Sequence, residues 1–251
     1  MDRSEDRSHP VRVDVPTGRH TDRELARQAE AAAQVFPDHA FCFTKRKHVQ
    51  NVGFAIRRGI PYRCNRDYRA LGLAGNDVRW GADVTLFPGA GREVRLLGVH
   101  LKSACHRDPL TGPRPECRVL QEQVPMLEAW IDARAREGTA FAVLGDFNRR
   151  FDRERDTARD ARNRIVAMWP EIDDGEPAEA GLHNAGADRG PVDCNNGAGA
   201  RMPIDYLILS RSLSRRMVPD SFRAWRYPAG KRWPDHCAIS VELQLEAGHG
   251  L

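Results

Sequence analysis

The 251-residue chain contains no run of about 18 apolar residues, so no segment of it reads as a membrane-crossing helix. Its opening, residues 1–10, is charged where a secretory signal would be apolar. It also lacks an aromatic-rich hairpin or a basic amphipathic segment of the kind that beds into lipid. No CxxC or HxxxH spacing occurs, which leaves a zinc site with little support despite six cysteines. Lysine is scarce: only Lys45, Lys47, Lys102 and Lys231 are present, so 35 of the 39 basic residues are arginine. Guanidinium suits phosphate, but genome composition produces the same bias. With 35 acidic residues the net charge is +4, which permits a polyanionic substrate without requiring one. The length suffices for one large α/β domain with a substantial core.

What is present is a set of short apolar runs that each deliver polar residues. Phe141-Ala142-Val143-Leu144 leads into Gly145-Asp146-Phe147-Asn148, a buried strand bringing an aspartate and an asparagine to a sheet rim. Leu96-Leu97-Gly98-Val99 ends in His100-Leu101-Lys102-Ser103, and Asp205 opens the run Tyr206-Leu207-Ile208-Leu209. Pro234-Asp235-His236-Cys237 sets a carboxylate beside a histidine, just before the alternating run Ile239 to Leu245. Hard oxygen ligands beside an Asp-His pair are what metal-assisted phosphoester hydrolysis requires.

Between these runs the periodicity predicts further elements. Residues 1–20 read as a poorly ordered polar segment and residues 21–251 as one domain. Thr21 with Glu24 forms a capping-box pattern, followed by Leu25, Ala29, Ala32 and Phe36 at helical spacing. Strands are expected at 40–44, 52–56, 82–87 and 93–101, and a helix over 115–137 buries Leu120, Val124, Leu127 and Ile131. A charged helix is expected near 157–168, followed by Gly/Pro/Asn-rich surface loops to 203.

In this order, each beside a strand-like run, the strings at 100–103, 145–148, 204–209 and 235–237 resemble the endonuclease/exonuclease/phosphatase superfamily, the deoxyribonuclease-I-like fold, over residues 35 to 245. The resemblance implies a four-layer α/β sandwich of two packed mixed β-sheets flanked by helices. It also implies a divalent-metal-dependent phosphodiester hydrolase using Mg²⁺ or Mn²⁺, here expected to be a monomeric endonuclease acting on nucleic acid, DNA in particular. It assigns Asp146 and Asn148 to water and phosphate positioning beside the metal, and Asp235 to metal binding, with Asp146 and Asn148 as further candidate metal ligands. His236 then contacts the scissile phosphate as acid–base catalyst, His100 is the second catalytic histidine, and Asp205 orients it. For Asp205 the competing structural reading is a strand-initiating turn. Lys102, Arg201 and Asn51 are weaker candidates for phosphate contacts, and Asn51 reads equally well as structural. Two other readings stay open: a phospholipid or inositol-phosphate hydrolase of the same fold, and a catalytically weakened binding protein.

The sequence departs from the family at its start. The family's first strand carries an asparagine and a later one ends in Gln-Glu, whose glutamate binds metal. Here Val11–Val15 is the only strand-like run before Phe36, and Glu24 and Glu30 fall on the helix, so a truncated start is expected. Pro234 and Ala238 also replace the usual serine and proline around the Asp-His-Cys string. Cys105 and Cys117 flank a short loop suited to a disulfide, Cys194 and Cys237 are free or paired, and Cys42 is expected to be buried between Phe41 and Phe43. Disulfides imply export, with the signal lost along with the N-terminus.

Overall fold

The two most apolar runs lie side by side at the centre of the molecule. In the computed structural model, which describes residues 30–46, 51–74, 78–178, 180–197, 199–228 and 234–245, they form β5 (Val94–His100) and β6 (Ala140–Asp146), paired in parallel. A parallel pair needs a long crossover, and α1 (Pro115–Arg136) provides it, with Pro115 in the first turn where no amide partner is lost. Antiparallel neighbours complete a mixed sheet: β4 (Ala82–Leu86) and β3 (Tyr62–Cys64) on one side, β8 (Asp205–Ser210) and β7 (Leu182–Asn184) on the other. The strand order is β3-β4-β5-β6-β8-β7. Two small antiparallel sheets accompany it, β1 (His39–Phe43) with β2 (Gly53–Arg57), and β9 (Arg223–Ala224) with β10 (Ile239–Ser240).

Alternation along the central strands sends side chains to two cores. Leu97, Val99, Phe141 and Val143 pack with Leu120, Val124, Leu127 and Ile131 of α1. On the opposite face Val94, Leu96, Ala142 and Leu144 meet Val52, Phe54 and Ile56, in a cluster that β9 and β10 also cover. The large sheet is therefore buried on both sides, by helix and by a second β-layer, in an α/β sandwich. Of the helix expected from Thr21 to Phe36, residues 30–36 are described: 30–35 are helical, and Phe36 follows with its amide on the Ala32 carbonyl at 2.7 Å; Val11–Val15, Thr21, Glu24, Leu25 and Ala29 lie outside the described residues.

Two expected elements take another form. Residues 157–168 do not form a helix: Asp160 accepts the amides of Arg162 and Arg164 at 2.9 Å each, and Arg159 bridges Ile165. A short acidic side chain that captures nearby amides competes with the helical ladder. A brief helix, α2 (Trp169–Ile172), follows instead. Beyond Ser240 the alternating run leaves the β9–β10 ladder and lies along 216–218, where Val218 donates to the Glu242 carbonyl and Gln244 to that of Arg216. The last helix, α3 (Arg211–Ser214), is capped by the Ser210 hydroxyl.

All six cysteines are paired. Cys42–Cys64 ties β1 to β3, Cys105–Cys117 ties the end of β5 to α1, and Cys194–Cys237 joins the two late loops. Cys42 is buried as expected, but as half of a bond to Cys64. Loop-closure entropy makes each bond worth about 3–4 kcal/mol. Three such pairs are compatible with an oxidising compartment.

One acidic group is held against its charge. Burial pushes the Glu128 carboxyl on α1 up to about 9, reinforced by Asp174, Asp132 and Glu171 and by a hydrogen bond to Asp132 that exists only while a proton is shared. The folded chain thus keeps a proton that the unfolded chain releases near the ordinary carboxyl value, so this group's contribution to stability is lost as pH rises from about 4.5 toward about 9. Glu128→Gln should raise stability at pH 7.5 by about 1–2 kcal/mol, the larger nominal effect being discounted for partial solvent access. That is roughly 3–6 °C in melting temperature, with no gain near pH 4. Equal gains at both pH values in thermal melts would refute the shared proton.

Candidate active site

The parallel pairing of β5 and β6 brings both carboxyl ends to one edge of the sheet, where the antiparallel β8 begins. The register sets His100 opposite Asp146 and Asp146 opposite Asp205, one row across three strands. His100 Nε2 lies 3.4 Å from Asp146 Oδ2. Beyond the row the chain must turn sharply. Asn148 takes a left-handed φ of 52°, a conformation asparagine tolerates better than most residues. Its backbone amide donates to Asp146 Oδ1 at 2.7 Å, and its side-chain Nδ2 donates to Asp146 Oδ2 at 2.9 Å and to the Leu101 carbonyl at 3.0 Å. Asn148 therefore orients the aspartate with its donor groups, and these bonds leave its Oδ1 out.

His236 reaches this row from the 234–238 segment. Its carbonyl accepts the Tyr227 hydroxyl at 2.8 Å, and the neighbouring Cys237 is bonded to Cys194, so the backbone is held on both sides. The ring places Nδ1 2.7 Å from Asp205 Oδ2 and Nε2 3.7 Å from Asp146 Oδ2. Asp205 was expected to orient His100; the carboxylate holds His236 instead. Asp235 stands at the rim with its side chain 82% exposed, its Oδ1 4.0 Å from His236 Nε2.

This environment separates the two histidines. The hydrogen bond to Asp205 raises the His236 pKa to about 9, with further help from the charges of Asp205, Asp146 and Asp235, so the ring is an imidazolium at neutral pH. Burial, then Arg79 and His236, press His100 down to about 3, leaving it neutral. Burial and the Asp205 charge push Asp146 up to about 7, against the pull of His236, the Asn148 amide and Arg79. Ligand atoms of Asp146, Asp205 and His236 all lie within 4.8 Å of one another, a set able to hold a metal ion. No glutamate joins it among the described residues.

The row floors a cleft of about 1070 Å³, whose walls come from the 103–108 loop and the loops after β7. Arg201 lines it, as does Asp235. Lys102 and Asn51 do not. The Lys102 ammonium sits 3.4 Å from the Ser103 carbonyl, and its backbone amide donates to buried Gln123. Asn51 is buried and accepts the Thr44 hydroxyl at 3.0 Å, while its Nδ2 is buried without a hydrogen-bond partner. Arg79, whose charge acts on both Asp146 and His100, was not anticipated; an isolated arginine between two loops carries no motif.

No family model matches the sequence, and no curated protein matches it. Solved structures do. A 3'-5' exonuclease, NExo, from Neisseria meningitidis superposes with a TM-score of 0.59 at 15% identity, covering 92% of this chain and 88% of that one. Danio rerio TDP2, solved with a single-strand DNA product, gives 0.54 at 14% identity over 92% and 86%. The human Nocturnin catalytic domain with bound sulfate gives 0.54 at 14% over 91% and 81%. All three belong to the endonuclease/exonuclease/phosphatase superfamily. At these identities the likeness is one of fold, and the fold is the one expected.

Proposed function

We propose that this chain, folded as an endonuclease/exonuclease/phosphatase protein, is a divalent-metal-dependent phosphodiester hydrolase acting on nucleic acid, and a DNA-cleaving endonuclease in particular. The observation that carries the reading is the Asp205–His236–Asp146 arrangement, a hydrogen-bonded acid pair at 2.7 Å beside a buried carboxylate in an open cleft. Structural neighbours that include an exonuclease and a protein solved with a DNA product support the substrate class. The three disulfides support action outside the cytoplasm.

In this reading Asp205 holds His236 as an imidazolium with Nε2–H facing the scissile phosphate. Water attacks phosphorus and gives up its proton to Asp146, the carboxylate that the Asn148 amide and side chain hold in place. As the phosphorus–oxygen bond breaks, the leaving oxygen takes the Nε2 proton, so the products are an alcohol and a phosphate monoester. Neutral His100 donates a hydrogen bond to a non-bridging oxygen, and Asn148 keeps Asp146 aimed. Two oxygen-rich side chains crowded in a buried spot fit a hard cation. Asp146 with Asp205 would hold Mg²⁺ or Mn²⁺ there, with Asp235 at the rim of the same cleft, and the ion would supply charge to neutralise the phosphate oxygens.

The test is hydrolysis of bis(p-nitrophenyl) phosphate and nicking of supercoiled plasmid, each with and without chelator. Metal-dependent turnover of both is expected. With so few fixed carboxylates, Mn²⁺ should support activity at lower concentration than Mg²⁺, because it binds mixed nitrogen and oxygen sites more tightly. Absence of turnover under every metal condition would overturn the hydrolase reading; release of phosphate or phosphocholine from lipid substrates, without nicking, would move the substrate class.

A further inference from the structure

The cleft wall next to His100 is held more firmly than a small polar loop requires. Residues 103–108 leave the sheet just beyond β5, and Cys105 is bonded to Cys117 at the start of α1. The buried Arg149 guanidinium donates from Nη1 to the Cys105 carbonyl at 2.9 Å and the Asp108 carbonyl at 2.6 Å, while its Nε is held by Glu154 at 2.6 Å. The Arg150 amide donates to the His106 carbonyl at 2.9 Å. Ala104 sits at a φ of 71°, in the left-handed region that costs a residue with a Cβ about 1–2 kcal/mol. These attachments set Ser103, His106 and Arg107 into the cleft wall beside the His100 row.

The polar groups of this wall divide into those already engaged and those still unpaired. Asp108 is neutralised by Arg114 at 2.8 Å, and Arg150 is bound to Asp152 at 2.7 Å. Exposed Arg107 has no hydrogen bond or ion pair among the described residues. The His106 ring leans on the Asn148 backbone, and its Nδ1 is buried away from the cleft. A phosphate in this part of the cleft would meet the unpaired Arg107 guanidinium and the Ser103 hydroxyl, with the Asp108 carboxylate on the same loop already neutralised.

We propose that the 103–108 loop is a second phosphate subsite, where Arg107, with the Ser103 hydroxyl, binds a non-scissile phosphate next to the one at His236. The proposal rests on the phosphodiesterase reading and deepens it. The preferred substrate carries consecutive phosphates along one strand, and a lone phosphodiester engages only half of the cleft.

Four substrates separate the claims: bis(p-nitrophenyl) phosphate, a dinucleoside monophosphate, and that dinucleotide with an added 5′- or 3′-terminal phosphate. One of the two terminal phosphates should raise kcat/KM about tenfold, mainly through KM, as expected of a charge-assisted contact. Arg107→Ala, at an exposed position, should abolish that gain while changing dinucleoside monophosphate turnover less than about twofold, and should lower the salt slope of oligonucleotide binding by about one. If neither terminal phosphate helps the wild type, or the variant keeps the gain, the subsite is refuted and the hydrolase reading stands. No turnover on any of the four would sink both.

Discussion

Replacing His236 with alanine should lower kcat on plasmid or bis(p-nitrophenyl) phosphate by about 10²–10⁴, the usual worth of a positioned acid, while KM changes little. The expectation follows from what the ring touches. His236 Nδ1 is spent on Asp205 at 2.7 Å, and Nε2 is left to meet the leaving oxygen. Removing the imidazolium also leaves Asp146 and Asp205 facing each other without the cation that lowers the Asp146 pKa, so the base loses its tuning along with the acid. Asp205→Asn probes the same pair from the other side. It removes the main cause of the raised His236 pKa of about 9, so the ring deprotonates at lower pH. The alkaline limb of the pH–rate profile should then move toward neutrality, with a smaller loss at the acid side. A His236→Ala protein that nicks plasmid at the wild-type rate would end the assignment; an unmoved alkaline limb in Asp205→Asn would end the tuning argument.

The parts of this site legible in the sequence are those carried by apolar runs. β5, β6, β8 and α1 announce themselves by continuous or 3.6-periodic hydrophobicity, and each of the three strands has its polar residue at an end. Parallel pairing of β5 with β6 then brings those ends together, because a strand–helix–strand crossover places carboxyl ends on one edge. The register row of His100, Asp146 and Asp205 is a three-dimensional coincidence that no one-dimensional pattern encodes. Polar residues in turns were harder to read, since the same side chain serves a ligand or its own backbone. Asn51 went to Thr44, Asp160 took two amides from an expected helix, and Asp205 held a different histidine from the one expected. Cysteine pairing is the extreme case. Six cysteines allow fifteen connectivities, and only the short Cys105–Cys117 loop stood out; Cys42–Cys64 and Cys194–Cys237 join segments that are distant in the chain. Arg149 gave no signal either, although it ties the segment after Asp146 to the 103–108 wall of the cleft.

Gly145→Ala should destabilise the protein by about 2–6 kcal/mol, combining backbone strain with overpacking, although the residue touches no substrate. Gly145 has a φ of 129°, a conformation that side chains rarely adopt, and it faces Val99 across the parallel β5–β6 pair. A Cβ built there would lie 2.1 Å from the Val99 carbonyl oxygen and 3.2 Å from the Val99 amide nitrogen. Those are backbone atoms of the neighbouring strand, so no side-chain rotamer relieves the clash. The strands must separate or the backbone at Gly145 must change conformation, and both movements displace Asp146, the next residue. A domain of this kind has about 5–15 kcal/mol to lose, so the urea midpoint should fall sharply. Any folded fraction should hydrolyse phosphodiesters more slowly than its amount predicts, because the row of His100, Asp146 and Asp205 is no longer in register. The same change at Gly138, also at positive φ but with open space around its Cβ, should cost only the strain, about 1–2 kcal/mol. Urea denaturation of the two variants side by side decides the matter. Equal midpoints would show that close approach of β5 and β6 is not what demands glycine before the aspartate.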